Sequence, residues 1–150
     1  SDVINHLKPR ILERAITIRD ISSNNDVFVG PVPEELPDGS TRLNSFMGPM
    51  AIIPKRHEIQ GSWDKAEWDE FRIVNMIPYH GAEITPNVHP YACGLEDLVH
   101  PNKGCYIGQE ILTRMRSRGR QGKTLLRRSN PANNATTTGA HESLCIERTQ

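Results

Sequence analysis

The segment Lys103-Gly-Cys-Tyr-Ile-Gly-Gln-Glu110 is the stretch from which the fold and the chemistry of this chain are inferred. It ends where a helix is predicted to start, near Gln109, and this helix should run to Arg118. A helix N-terminus carries partial positive charge and Lys103 adds a full one, so both favour the thiolate form of Cys105. The alternative is a glycine-bounded loop that holds a buried, inert cysteine.

Other side chains of the same segment are suited to contacting a ligand. Gly104 and Gly108 allow tight turns and a close approach of the backbone to a bound molecule. Tyr106 offers a ring face, while Gln109 and Glu110 offer polar contacts. The segment therefore combines a candidate nucleophile with candidate binding groups.

The rest of the chain predicts short helices and strands without a regular β-α-β order, which is typical of the α+β class. The helix after Asp64 is the clearest, because Asp64 and Glu67 are spaced as a capping box. The final ten residues have room for one strand. The predicted segments are a helix at 2–14 broken by Pro9, strands at 15–21, 27–29 and 50–53, a loop at 31–45, a helix at 64–76, a long connection at 79–104, and a linker at 129–140.

Charge is distributed unevenly although the formal net charge is zero. Residues 1–110 carry 10 Lys/Arg and 16 Asp/Glu, whereas residues 111–150 carry 8 and 2. Between Ile111 and His141 there are seven basic residues and no acidic one. This asymmetry indicates either an anionic partner for the C-terminal part or a solvated basic helix face.

The cysteine pattern and the hydropathy pattern limit the class of protein. The three cysteines, Cys93, Cys105 and Cys145, form no C-x-x-C pair, which favours reduced thiols in a cytosol-like compartment. No apolar run is long enough to cross a membrane and no secretory leader opens the chain, so we expect no membrane partner. The predicted location is cytoplasmic, or the mitochondrial matrix if the source is a eukaryote.

The motif Lys-Gly-Cys-Tyr-x-Gly-Gln-Glu at residues 103–110 resembles the signature of the YgfZ-type folate-binding protein family, which is related to the aminomethyltransferase (T-protein) of glycine cleavage. The likeness is strong from residue 67 to 125, weaker from 7 to 54, and nearly absent after 128. Further stretches that resemble the family are Asp20-Ile-Ser22, Gly30-Pro31, Phe71-Arg-Ile73, Gly81-Ala-Glu-Ile-Thr85, Gly94-Leu-Glu96, Arg114 and Arg118-Gly119.

This resemblance implies a partial aminomethyltransferase-like folate-binding domain with mixed antiparallel sheets and packed helices. Residues 1–125 would belong to that domain, and residues 126–150 would form a linker and the incomplete start of a C-terminal barrel domain. The family's chains begin before the residues matched here, so the sequence is expected to be a fragment. The T-protein's catalytic aspartate belongs to that upstream part and has no counterpart here.

The resemblance also implies a tetrahydrofolate site. It would place Cys105, Tyr106 and Gln109 at the folate, and Glu83 against the pterin ring, whose adjacent N–H donors suit one carboxylate. Without the family, Glu83 is equally well read as a surface carboxylate, and Arg72 as one partner of a helix-surface salt bridge. The implied site residues are Cys105 as the reactive thiol and Arg72, Glu83, Lys103, Tyr106, Gln109 and Arg114 as folate-binding residues.

Folate carries a glutamate tail, often several glutamates long, and a basic run follows the signature. This run would meet the anionic tail. Its members are Arg114, Arg116, Arg118, Arg120 and Lys123.

The function implied by the resemblance is that of a tetrahydrofolate-binding accessory protein in iron–sulfur cluster assembly or repair, linked to tRNA modification. Its partners would be folate, including polyglutamylated folate, together with iron–sulfur assembly proteins or client enzymes. The alternative is an enzyme, a folate-dependent aminomethyl- or one-carbon transferase. The presence of Cys105 favours the accessory role, because the T-protein resembles the signature but lacks its cysteine.

Two further interpretations rest on residue types alone. The basic stretch 114–128 would suit tRNA, but it has no interleaved aromatic residues for base stacking. Several histidines and cysteines are potential metal ligands, but their spacing matches no compact zinc pattern, so no metal site is predicted. These potential ligands are His80, His89, Cys93, His100 and Cys105.

Overall fold

The computed structural model describes residues 2–11, 15–119 and 122–148. Within these ranges the chain forms three α-helices and two antiparallel sheets of three strands each, an arrangement compatible with the predicted α+β class. The chain divides into two compact units, Ser1–Gly61 and Ser62–Gln150. No helix of the described residues is long and apolar enough to cross a membrane.

The first unit is built around one sheet with the strand order β1-β3-β2. Its elements are helix α1 (Asp2–Leu7) and strands β1 (Asn25–Val29), β2 (Thr41–Ser45) and β3 (Gly48–Pro54). The central strand β3 buries Ala51 and Ile53 on one face, as expected for strand residues two positions apart. A two-residue turn joins β2 to β3, and Ser45 pairs with Gly48 across it.

The second unit carries the segment that resembles the signature. Its helices are α2 (Lys65–Val74) and α3 (Gln109–Arg118), and its strands are β4 (Lys123–Ser129), β5 (Ala135–Thr138) and β6 (Glu142–Arg148) in the order β4-β6-β5. Ile73 of α2 packs with Leu125 of β4 and Leu144 of β6 to form the buried core. This core anchors α2 on the sheet.

Several predicted elements are confirmed. Asp64 and Glu67 form both hydrogen bonds of the capping box, and α2 follows at once. Helix α3 begins at Gln109 and ends before Gly119, which adopts a left-handed conformation with φ of 60°. The strands predicted at 27–29 and 50–53 lie within β1 and β3, and β6 is the strand predicted in the last ten residues.

The first helix is shorter than predicted. Helix α1 ends at Leu7 and a 3₁₀ helix, Lys8–Arg10, follows it. Because proline disfavours the α conformation in the residue before it, Pro9 ends the α-helix at this point. Residues 12–14 of the predicted helix lie outside the described residues.

Three other predictions are wrong. Residues 15–21 form no strand, because Ile16 and Ile21 stay exposed and the segment has no buried face to stabilise pairing. The predicted loop at 31–45 contains β2, whose half-buried Leu43 pairs with β3. The predicted linker at 129–140 contains β5, which pairs with β6 through Thr137 and its neighbours. In both strands the proline, glycine and asparagine residues nearby masked a short alternating run.

The predicted division of the chain at residue 125 falls inside β4. The strand continues to Ser129, and its residue Leu125 belongs to the buried core of the second unit. The assignment of residues 1–125 and 126–150 to a folate-binding domain and a barrel stays a prediction.

Candidate functional site

The loop before α3 is closed by two hydrogen bonds between Tyr106 and Gln109. The backbone N–H of Tyr106 donates to Gln109 Oε1 at 3.3 Å, and the backbone N–H of Gln109 donates to the Tyr106 carbonyl at 3.2 Å. Gly108 lies between them with a φ of 85°, a conformation that side chains rarely adopt. Gln109 therefore shapes the loop, while its amide N–H₂ group has no hydrogen bond within the described residues.

Lys103 and Tyr106 form a cation–π contact. Lys103 Nζ lies 4.1 Å from the centroid of the Tyr106 ring, within the distance at which the ammonium is attracted to the ring face. The ring is half-buried, so one part of it remains accessible. This contact orients the tyrosine and brings a positive charge to the loop.

Cys105 is exposed and is not in a disulfide, so the alternative of a buried structural cysteine is wrong for this residue. Cys93 and Cys145 are buried instead. Burial raises the pKa of both buried thiols, which therefore stay protonated and unreactive near neutral pH. Cys105 is the cysteine that a molecule in solution can reach.

Four of the predicted site residues line one open depression on the protein surface with a volume of about 910 Å³. This volume is in the range of small-molecule sites. The four are Cys105, Tyr106, Gln109 and Arg114. Lys103 reaches the same loop through its contact with Tyr106. The resemblance to the signature thus predicted residues that do lie together.

Two further residues of the basic run, Arg116 and Lys123, do not line this depression, whereas Arg118 does. Arg114 has one ion-pair partner, Glu110, at 3.5 Å on the exposed surface. Arg116 and Arg118 make no ion pair with any described residue. Arg120 lies outside the described residues.

Glu83 and Arg72 lie in a different place, a buried ion pair of the second unit. Arg72 Nη1 donates to Glu83 Oε2 at 3.0 Å, and both side chains are almost completely shielded from solvent. Glu83 is therefore not the surface carboxylate that the sequence left open, and the Arg72 salt bridge is not on the helix surface. Neither residue lines the depression beside α3.

Every acceptor position of Glu83 is occupied by donors of the chain itself. Oε1 accepts hydrogen bonds from the hydroxyls of Thr136 and Thr137 at 2.6 and 2.7 Å. Oε2 accepts from Arg72 and from the Tyr79 backbone N–H at 2.9 Å. Burial alone would raise the pKa of Glu83, but these hydrogen bonds and the Arg72 charge outweigh it, and the pKa lies below its ordinary value.

The five donors of Arg72 are occupied in the same way. Its guanidinium donates to Glu83, to the Ile77 carbonyl, to Thr137 Oγ1 and to Asp69 Oδ1, which accepts from both Nε and Nη2. The cluster of Arg72, Glu83, Asp69, Thr136 and Thr137, here called the buried ionic cluster, joins α2 to β5.

A pterin does not fit against Glu83 in this conformation. The carboxylate has no free acceptor, and a pterin could replace the internal donors only if Thr136 and Thr137 moved away from it. The buried ionic cluster thus acts in the folded chain as a structural link between elements.

Sequence reasoning missed three members of this cluster. Asp69 was read only as part of a helix, and Thr136 and Thr137 were assigned to a linker. The run Thr136-Thr-Thr138 is rich in β-branched residues, and this signal favoured a strand. It was outweighed by the neighbouring asparagines and glycine.

No group of three or more His, Cys, Asp or Glu side chains in the described parts of the chain is arranged to hold a metal ion. Cys93 is instead a buried residue whose thiol lies 3.4 Å from the Pro90 carbonyl. His100 Nδ1 accepts a hydrogen bond from the Asn102 backbone.

Comparison with known proteins adds no relative to this picture. No protein-family model matches the chain. A search of curated proteins found no significant match either. The resemblance to the YgfZ-type family therefore rests on residues 103–110 and the stretches that flank them.

Proposed function

We propose that this chain is a tetrahydrofolate-binding accessory protein that supports iron–sulfur cluster assembly or repair in the cytoplasm or the mitochondrial matrix. The proposal includes the finer fold assignment, a partial aminomethyltransferase-like folate-binding domain. The observation that supports it best is that Cys105, Tyr106, Gln109 and Arg114, all quoted for the resemblance, line one open depression.

In this proposal the loop before α3 holds the folate. Tyr106 presents its ring to a flat part of the ligand, with Lys103 fixing the ring from the other side. The unused amide N–H₂ of Gln109 donates to a ligand oxygen. The buried ionic cluster takes no direct part in binding, since Glu83 and Arg72 have no free polar group.

Cys105 supplies the second part of the proposed function. Its thiol is exposed in the same depression, where an iron–sulfur cluster or a partner protein can reach it. Thiolates are the usual protein ligands of such clusters. One thiol provides a single transient contact, and the remaining ligands would come from the partner.

Calorimetric titration of tetrahydrofolate into the chain tests the folate site. Tyr106→Ala is expected to weaken binding about tenfold, because a ring contact of this kind contributes about 1.5 kcal/mol. Ile107→Ala is the matched control, since the neighbouring Ile107 side chain is fully exposed and should leave the affinity unchanged. The proposal fails if wild type with a native circular dichroism spectrum does not bind, or if Tyr106→Ala binds as tightly as wild type.

A Cys105→Ser variant tests the accessory role separately. We expect it to bind tetrahydrofolate as wild type does but to lose its support of an iron–sulfur enzyme whose activity is measured in cells lacking the wild-type chain. Full support by the variant would remove the thiol from the proposal. Transfer of a one-carbon unit to tetrahydrofolate by the purified chain would instead favour the folate-dependent transferase.

A further inference from the structure

Helix α3 has one cationic side that faces the depression and another that does not. An α-helix turns 100° per residue, so Arg114 and Arg118 lie one turn apart on the same side, about 6 Å apart along the axis. Arg116 points about 200° away from Arg114. The lining of the depression follows this geometry, because it includes Arg114, Ser117 and Arg118 but not Arg116.

The positive charge on this side of α3 is only partly neutralised. Arg118 has no ion-pair partner within the described residues, and Arg114 has only the exposed Glu110 at 3.5 Å. The two arginines of β4 differ, because Arg127 pairs with Glu142 at 3.3 Å and Arg128 with Glu147 at 2.7 Å. The cations that remain available therefore lie beside the depression.

An anion that suits this side should carry several carboxylates along a chain and should start at the loop before α3. Arginine binds carboxylates through paired N–H donors, which favours carboxylates over other neutral polar groups. The γ-linked oligoglutamate tail of a polyglutamylated folate has this chemistry. One γ-glutamyl repeat is comparable in length to the single helical turn, about 5.4 Å, that separates Arg114 from Arg118.

We infer that the Arg114–Arg118 side of α3 binds the oligoglutamate tail, so that the chain prefers polyglutamylated to monoglutamylated tetrahydrofolate. This inference rests on the proposed folate site. It narrows the basic run predicted from the sequence to two residues, and it assigns no contact to Arg116. A nucleic acid is less suited, because Tyr106 is the single aromatic residue lining the depression and offers no second platform for stacking bases.

The test compares tetrahydrofolate carrying one glutamate with tetrahydrofolate carrying five, by calorimetry at low salt. We expect wild type to bind the pentaglutamate about fivefold more tightly, as two exposed ion pairs would allow. Arg118→Gln should reduce this preference towards onefold and leave the affinity for the monoglutamate unchanged. Arg116→Gln, the matched control on the other side of α3, should keep the full preference.

The outcomes separate the two proposals. If the monoglutamate does not bind to folded wild type, the folate site itself is refuted. If it binds but the pentaglutamate binds equally well, only the tail site is refuted. Equal losses in Arg116→Gln and Arg118→Gln would also refute the tail site, because they would indicate non-specific attraction to the basic helix. Displacement of the pentaglutamate by a short RNA that binds more tightly would overturn it in favour of nucleic acid.

Discussion

Gly139, in the connection between β5 and β6, lies so close to α2 that a larger residue does not fit. A Cβ atom there would be 2.6 Å from Glu70 Oε1 and 2.8 Å from Ile73 Cδ1. Glu70 can move, although it accepts a hydrogen bond from the Ala140 backbone, but Ile73 is held in the core. Gly139→Ala should therefore lower the free energy of unfolding by about 1–3 kcal/mol in urea denaturation.

Gly104 provides the matched control for this substitution. A Cβ atom at Gly104 would have no heavy atom within 4 Å. Gly104→Ala should therefore leave the free energy of unfolding within about 0.5 kcal/mol of wild type. If Gly139→Ala is as stable as Gly104→Ala, the close approach of Gly139 to α2 is not a feature of the folded chain.

At the scale of single residues, the sequence predicted the loop before α3 well and the buried ionic cluster poorly. Gly108, Gln109 and Gly119 lie next to each other or at the two ends of one helix, so their roles follow from local rules. Glu83 and Thr137 are 54 positions apart, and their hydrogen bond depends on how β5 packs. A single sequence carries no signal for such a long-range contact.

At the scale of elements, confirmed segments carried two agreeing signals and wrong ones carried one. Helix α2 has both a capping box and an apolar face, and the two predict the same start. Residues 15–21 have only an alternating pattern, which predicts a strand if another strand pairs with it. Strand β5 is four residues long, and its formation depends on β6. Short strands are therefore decided by their partners more than by their own residues.

At the scale of the whole molecule, the second unit is organised around a buried charge pair as well as an apolar core. Arg72 comes from α2, Glu83 from the long connection, and Thr136 and Thr137 from β5. Four donors hold one carboxylate between these segments. Since removing the charge leaves the guanidinium of Arg72 buried without its partner, the ionisation of Glu83 should be linked to the stability of this unit.

This linkage predicts how stability depends on pH. The folded-state pKa of Glu83 lies below its ordinary value of 4.5, so the folded chain binds this proton less readily than the unfolded chain does. The stabilisation is fully present above pH 4.5 and is lost as the pH falls through the lower, folded-state pKa. Asp69 adds to the same trend, because its hydrogen bonds with Lys65 and Arg72 outweigh burial and lower its pKa.

Urea denaturation of wild type and of Glu83→Gln between pH 7 and pH 3 measures the Glu83 contribution. We expect the variant to be less stable at pH 7, and the difference between the two proteins to shrink as the pH falls below 4.5, because protonated glutamic acid and glutamine are both neutral. Asp97→Asn is the control, since this exposed carboxylate has no ion pair within the described residues and its curve should follow wild type. A difference between Glu83→Gln and wild type that stays constant over this range would show that the charge of Glu83 does not stabilise the fold. The buried ionic cluster would then be held by shape and by neutral hydrogen bonds, and the Glu83 carboxylate would be a candidate for a role other than stability.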